Sequence, residues 1–255
     1  MKLNVIKIGG NIVDNPEVLD QFIDVFTQLE GAKILVHGGG KIATKISASL
    51  GIEAQMVNGR RVTDKETLKV VTMVYAGLVN KNIVSKLQSK KVNALGLSGA
   101  DANVIRSHKR TGSEVDYGFV GDVDEVNTDF LSKLINDNII PIMAPITHDA
   151  QGQLLNTNAD TIASELAVGL SSSYEVQLTY CFELPGVMRD INDKNSIVKE
   201  INSETYASLI TEGIIVDGMI PKLDNSFNAI NKGVDSVRIC HALNLNSTTG
   251  TVLKK

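Results

Sequence analysis

The sequence predicts an α/β fold: a three-layer αβα sandwich with a mainly parallel central sheet. Apolar, strand-like segments alternate with helical periodicity along almost all of the 255 residues. The first two such strands each end in glycines, Gly9-Gly10 and Gly38-Gly39-Gly40, and a helical pattern follows each run. Lys7 sits at the end of the first strand, otherwise largely apolar. In an open parallel sheet, ligands bind beyond the carboxyl ends of the strands. Glycine lets backbone N–H groups approach an anion, and a following helix adds its positive end. These features together suit phosphate chemistry.

Taken in order, Lys2 to Ile8 reads as a buried strand. Val18, Leu19, Phe22, Ile23, Val25, Phe26 and Leu29 then recur at helical spacing. Lys33 to His37 is the second strand and Ile42 to Leu50 the next helix. Ile52 to Val57 and Arg60 to Thr63 flank Asn58-Gly59, a pair suited to a tight type I′ turn, so a hairpin is expected. Asp64 to Gln88 reads as one long helix capped by Thr63 or Asp64. Val92 to Leu97 is a strand, and Val104 to Val123 suggests short antiparallel strands turning near Arg110-Thr111-Gly112. A helix (Phe130 to Asn136), a strand (Ile139 to Ala144), a turn at His148 to Gly152 and a helix (Thr157 to Val168) follow. At Gly169 to Ser173 the composition turns small and polar, which divides the chain into residues 1–170 and 171–255. The second part carries a strand (Tyr174 to Cys181), a loop at Pro185-Gly186, helices at Ser203 to Glu212 and Pro221 to Lys232, and strands at Ser236 to Cys240 and Thr249 to Leu253.

Hydrophobic residues make up 43% and charged residues 21%, the balance of a globular chain. The net charge of −4, with no basic run, argues against nucleic-acid and membrane-surface partners, so any cationic site is local. Cys181 and Cys240 lie in apolar surroundings, which favours two reduced core thiols over a disulfide or metal pair. The chain opens on a strand with no charged-then-apolar leader, and no apolar run reaches a membrane span, so the expectation is a cytoplasmic protein.

Each candidate site residue has a plain structural reading beside a functional one. Lys7 is either an edge lysine reaching solvent along its stem or a cation aimed at phosphate; the glycines after it favour the second. Gly38 to Gly40 match neither the Walker A spacing nor Gly-x-Gly-x-x-Gly, where Ala43 stands in the third glycine's place. His37 reads as a core or hydrogen-bonding histidine rather than a base. Arg61, like Arg60, is an exposed hairpin arginine or a fork that grips a carboxylate. Asn156 to Asn158 cap a helix, and Asp160 in its first turn holds a lysine or a metal. Lys222 stands at a helix start, against the helix dipole, which implies an anionic partner unless it is a solvated surface lysine.

The stretches Lys7 to Gly10, Val36 to Gly40, Asn58 to Thr63, Gly96 to Asp101, Gly118 to Gly121, Leu155 to Asp160 and Asp217 to Lys222 form an ordered set across nearly the whole chain. In that order they resemble the amino-acid kinase family, in particular its branch that phosphorylates N-acylated glutamate in arginine biosynthesis. The resemblance implies the amino-acid kinase fold. It also implies phosphoryl transfer from ATP to the γ-carboxylate of an N-acyl-L-glutamate, with Mg²⁺ held mainly by ATP oxygens rather than by a protein metal site. By the same resemblance, residues 1–170 form the acyl-amino-acid-binding and dimerisation lobe and residues 171–255 the nucleotide-binding lobe. Lys7 and Lys222 are similar to the pair that neutralises the transferring phosphoryl group, and Asp160 to the residue that organises them. Gly9, Gly10, Gly39 and Gly40 are similar to the backbone donors around that group, Arg61 to the residue on the substrate α-carboxylate and Asn156 to the one on its amide region. Glu183, Pro185, Gly186, Ile214, Ile215 and Val216 fall where the family borders the nucleotide.

The chain departs from the family where Phe182 and Glu183 replace a small hydroxyl residue and an aspartate, so the adenine or ribose pocket is expected to be reshaped. Relative to the arginine-inhibited hexameric members it lacks a helix before the first strand, which by resemblance implies a homodimer insensitive to arginine. N-acetyl is the family's usual acyl group; an acidic N-succinyl group would need a further cation, for which Arg60, Lys65 and Lys69 are candidates. Competing readings are an enzyme of the same fold acting on a carbamate, aspartate or nucleoside monophosphate, a non-catalytic nucleotide- or amino-acid-binding subunit, and a purely structural domain.

Overall fold

A computed structural model describes residues 1–57, 59–112, 114–193, 195–215 and 219–255. Its centre is an eight-stranded sheet in the order β12-β14-β13-β11-β1-β2-β8-β5. The strands are β1 (Lys2–Ile8), β2 (Ala32–His37), β5 (Ala94–Leu97), β8 (Ile140–Met143), β11 (Glu175–Phe182), β12 (Glu200–Ile201), β13 (Ser236–His241) and β14 (Thr251–Leu253). Every neighbouring pair in it runs parallel except β13 with β14. Parallel strands buried on both faces should be apolar throughout, and β1 and β2 show that pattern: only their first residues and Asn4 escape full burial.

Side-chain alternation along the strands builds two separate cores. Leu3, Val5, Ile34 and Val36 face one way, against α6 (Thr128–Asn136), α7 (Ala159–Leu170), α8 (Ser203–Thr211) and α9 (Ile220–Asn231). Ile6, Ile8 and Leu35 face the other, against α1 (Gly10–Val13), α2 (Pro16–Gln28), α3 (Gly40–Ser49), α4 (Lys65–Thr72), a π-helical stretch (Met73–Val79) and α5 (Asn80–Ser89). The result is the three-layer αβα sandwich. Residues 1–170 supply β5, β8, β2 and β1, and residues 171–255 supply β11 to β14, so one sheet runs through both parts.

Several local expectations are refined. The single helix over 64–88 is interrupted by the π-helical stretch, and its cap is Asp64, whose side chain accepts from the Thr67 N–H. The hairpin shrinks to β3 (Met56–Val57) and β4 (Arg60–Arg61), and Asn58 lies outside the described residues. It shortens because Thr63 leaves it to bond Tyr117 and Phe119 in the body of the protein. The antiparallel strands near residue 110 are β6 (Ile105–Lys109) and β7 (Gly121–Val126). They join an unforeseen pair, β9 (Ile146–His148) and β10 (Leu154–Asn156), in a second sheet.

Candidate active site

The sheet reverses its order of travel at β1. The chain moves from β1 to β2 on one side and enters β11 on the other, the topology that opens a ligand crevice beyond the strand ends. The loops after β1, β2 and β11 meet there. A cleft of about 790 Å³ is lined by Gly9, Gly10, Gly40, Phe182, Glu183, Gly186 and Lys222, among others. A side pocket of about 220 Å³ is lined by Gly38 to Gly40, Arg60, Arg61, Tyr75, Arg110 and Asn156 to Ala159. Gly40, Met56 and Arg61 line both, so the two spaces adjoin. The cleft has the size of a cofactor site.

Glycine is required where the turns meet. A Cβ on Gly38 would lie 3.4 Å from the Gly10 nitrogen, so the first two strand-end turns lie against each other. Gly39 has φ +152°, and a Cβ there would approach the Tyr75 ring to 3.1 Å. His37 fixes this turn from below. Fully buried, it donates from Nδ1 to the Gly38 carbonyl at 2.8 Å and accepts at Nε2 from Asn80 Nδ2 at 3.1 Å. Burial pushes its pKa down to about 4, so the ring is neutral and structural.

Strand alternation sends Lys7 to the α7 side of the sheet, where its Nζ lies 2.7 Å from Asp160 Oδ1. Asn158 caps α7 by accepting from the Asp160 and Thr161 N–H groups at 2.8 and 3.1 Å, which fixes Asp160 in the first turn. The Tyr180 hydroxyl donates to the Asp160 carbonyl at 3.3 Å; burial, reinforced by the nearby Asp160 charge, pushes its pKa up. Lys222, in the first turn of α9, brings its Nζ 4.4 Å from the centroid of the Phe182 ring. Phe182 therefore stands at the lysine end of the cleft.

Arg61 is buried, and its Nη2 donates to the Gly40 carbonyl at 3.0 Å and to Thr44 Oγ1 at 2.7 Å. Its Nη1 is also buried and makes no hydrogen bond, and the residue lines both cavities. Asn156, at the end of β10, donates from Nδ2 to Thr63 Oγ1 at 2.9 Å. Arg110, which the sequence marks only as part of a strand-end turn, lines the same pocket. Its Nε and Nη2 pair with Asp122, and its Nη1 has no hydrogen bond. Lys69 pairs with Glu66 on the surface, and neither Lys65 nor Lys69 lines the pocket.

Some expected nucleotide neighbours lie elsewhere. Glu183 and Gly186 line the cleft; Pro185 does not. The Ile214 and Ile215 N–H groups both bond back to the Leu209 carbonyl at the end of α8, at 3.0 and 3.2 Å. That return places Ile215 in the core with Ile214 packed against it, and neither lines the cleft. Val216 lies outside the described residues. Cys181 and Cys240 are free, buried, and opposite each other on β11 and β13.

Lys41, Arg61 and Lys222, three glycine-bearing turns and the positive end of α3 thus line one crevice in a chain of net charge −4, and Lys7 stands behind that lining, its Nζ 6.0 Å from the Phe182 ring. This arrangement can receive a polyanion and, beside it, a carboxylate. The acetylglutamate kinase of Cytophaga hutchinsonii is 60% identical over 99% of this chain and 98% of its own length. That of Methanopyrus kandleri is 38% identical over 99% of this chain and all of its own. Among solved structures, smu.665 from Streptococcus mutans superposes with a TM-score of 0.77 at 28% identity, covering 99% and 98% of the two chains. Giardia lamblia carbamate kinase bound to AMP-PNP shares the fold, with a TM-score of 0.69 at 15% identity over 100% and 98%. The model of the amino acid kinase family matches residues 2–241, and with full-length relatives at this identity the chain belongs to that family.

Proposed function

We propose that the chain catalyses ATP-dependent phosphorylation of N-acetyl-L-glutamate on its γ-carboxylate, giving the acyl phosphate and ADP, as a step of arginine biosynthesis in the cytoplasm. The carrying observation is the junction of the two cavities at Gly40 and Arg61, which sets a carboxylate pocket beside a lysine-lined cleft. Relatives that bear the name acetylglutamate kinase over the full chain support the same reading.

A γ-carboxylate oxygen attacks the terminal phosphorus of ATP; the new O–P bond forms as the bond to the leaving ADP oxygen breaks. The nucleophile is already ionised at neutral pH, since its ordinary pKa is about 4.3, and no general base is needed. Positioning and charge stabilisation supply the catalysis. Lys7 and Lys222 neutralise the transferring group, and Asp160 fixes Lys7. The N–H groups of Gly9, Gly10, Gly39 and Gly40 surround the phosphoryl oxygens, Arg61 takes the α-carboxylate, and Asn156 takes the amide region. Mg²⁺ carried by the nucleotide would supply charge neutralisation at the phosphates.

All lining residues of the side pocket precede residue 171, and residues 181–184, 186 and 187, Met219, Lys222 and Ile239 reach the cleft. This supports an acyl-amino-acid lobe over 1–170 and a nucleotide lobe over 171–255. Arg60 and Arg110 beside Arg61 favour, as a second reading, an acidic N-succinyl group in the same pocket. ADP release from Mg·ATP with N-acetyl-L-glutamate, N-succinyl-L-glutamate or L-glutamate, with hydroxylamine as trap, tests both. Hydroxamate is expected with an N-acylated substrate; no ADP with any of the three overturns the function.

A further inference from the structure

Lys7 and Lys222 are held in different ways. Lys7 is charge-paired with Asp160 at 2.7 Å. Lys222 makes no ion pair among the described residues. Its partner is an aromatic ring, with Nζ 4.4 Å from the Phe182 centroid, and the Lys7 Nζ lies 6.0 Å from the same ring. Both distances fall within about 6 Å, the range in which a ring face attracts a cation.

The ring is itself anchored. Lys7 and Tyr180 are register partners on β1 and β11, and Phe182 follows Tyr180 on the same face of β11. The two rings stack with centroids 6.3 Å apart and planes 24° apart. Tyr180 is buried and bonds the carbonyl of Asp160. One column, from the first turn of α7 through Tyr180 to Phe182, therefore sets the ring in the same frame as the Lys7–Asp160 pair.

We propose that Phe182 is a positioning residue for the phosphoryl transfer, its ring face holding the Lys222 ammonium at the phosphate end of the cleft. This rests on the kinase reading above. A carboxylate in that place would occupy the ammonium N–H donors and compete with phosphate for its charge. A ring face attracts the cation without accepting a full hydrogen bond, so the N–H groups remain directed to the incoming anion.

The test replaces Phe182, in the full chain, with mono-, di- and trifluorinated phenylalanine. Fluorine withdraws negative charge from the ring face at nearly constant shape. The expected result is a stepwise fall in kcat, about 10-fold across the series, with KM for N-acetyl-L-glutamate steady and Phe182→Tyr close to wild type. A flat kcat, or a series that moves only KM for Mg·ATP, overturns it and makes the ring plain nucleotide lining. In the ligand-free protein, NMR should show the Lys222 ε-CH₂ protons shifted upfield by the ring and returned to ordinary values in Phe182→Leu. Unshifted protons overturn the contact whatever the activity. A wild-type chain that shows the shift but releases no ADP locates the failure in the kinase reading, and the catalytic role falls with it.

Discussion

Lys7 and Lys222 come from opposite parts of the chain to the same Phe182 ring at the cleft, with Nζ 6.0 and 4.4 Å from its centroid. Losing one preorganised charge-stabilising group costs roughly 100- to 1000-fold in turnover. Lys7→Ala and Lys222→Ala should each lower kcat within that range in the hydroxylamine-coupled assay, with the fold intact by circular dichroism. Turnover near wild type in either removes that lysine from the phosphoryl site. His37 makes a stability prediction instead. Well above pH 6.5 it is uncharged in both folded and unfolded chains, so it adds no pH dependence there. Burial holds its folded pKa at about 4, below the roughly 6.5 of an exposed histidine. As pH falls from about 6.5 toward 4, the unfolded chain takes up a proton that the folded chain refuses. Stability should then fall by up to about 3 kcal/mol, levelling off below the folded pKa. Urea unfolding at stepped pH measures this slope, and His37→Gln should flatten it. An unchanged slope in that variant would assign the titration to another group.

At the scale of elements, the site depends on crossings that no single element announces. Gly118, with φ +72°, brings its backbone against Thr63 so closely that a Cβ would lie 2.2 Å from the Thr63 carbonyl oxygen. Thr63 follows Arg61 and holds Asn156, so an added methyl displaces the carboxylate pocket as well as the backbone. Gly118→Ala should therefore cost more than the roughly 1–3 kcal/mol of a strained backbone alone. It should also raise KM for the N-acylated substrate. Gly31→Ala, with φ +83° and no atom within 4 Å of the new Cβ, is the control for conformational strain; an equal loss in both variants would refute the crossing as cause. The same distinction explains what was legible beforehand. Lys7, the glycine runs and Lys222 break local patterns: a charge in an apolar strand, glycine at strand ends, a lysine against a helix dipole. The Asn156 to Asp160 cap was equally readable, since its bonds are local. Tyr75, Asn80, Thr44 and Arg110 were not, because each is ordinary in its own helix, strand or turn and acquires meaning only across the fold. Ile214 and Ile215 illustrate the complementary case: an apolar run near a motif reads as pocket lining, and the chain folds it back on α8, away from the cleft lining.

For the whole molecule, the π-helical stretch links the site to the outer surface. Tyr75 and Val79 turn inward against Gly39, whereas Met73 and Leu78 on the same stretch are exposed, as is Leu50 at the end of the adjoining α3. A wider helical turn is uncommon and tends to mark functional segments. Exposed apolar residues on the outer side of a pocket-lining element suit a symmetric contact between two chains, and with it the homodimer that the family resemblance implies. Light scattering after gel filtration should give twice the chain mass. Met73→Glu with Leu78→Glu should halve it, because two like charges would face their own copies across the axis. Both cavities are already formed within a single chain, so the monomer should keep the chemistry. Its losses should appear in stability and in KM for the N-acylated substrate, transmitted through Tyr75 to the Gly39 turn, while kcat stays within a few-fold of wild type. A wild-type chain that is monomeric at micromolar concentration would refute the dimer. A monomeric variant with no residual turnover would show that the partner copy is needed to keep the Gly38 to Gly40 turn in place.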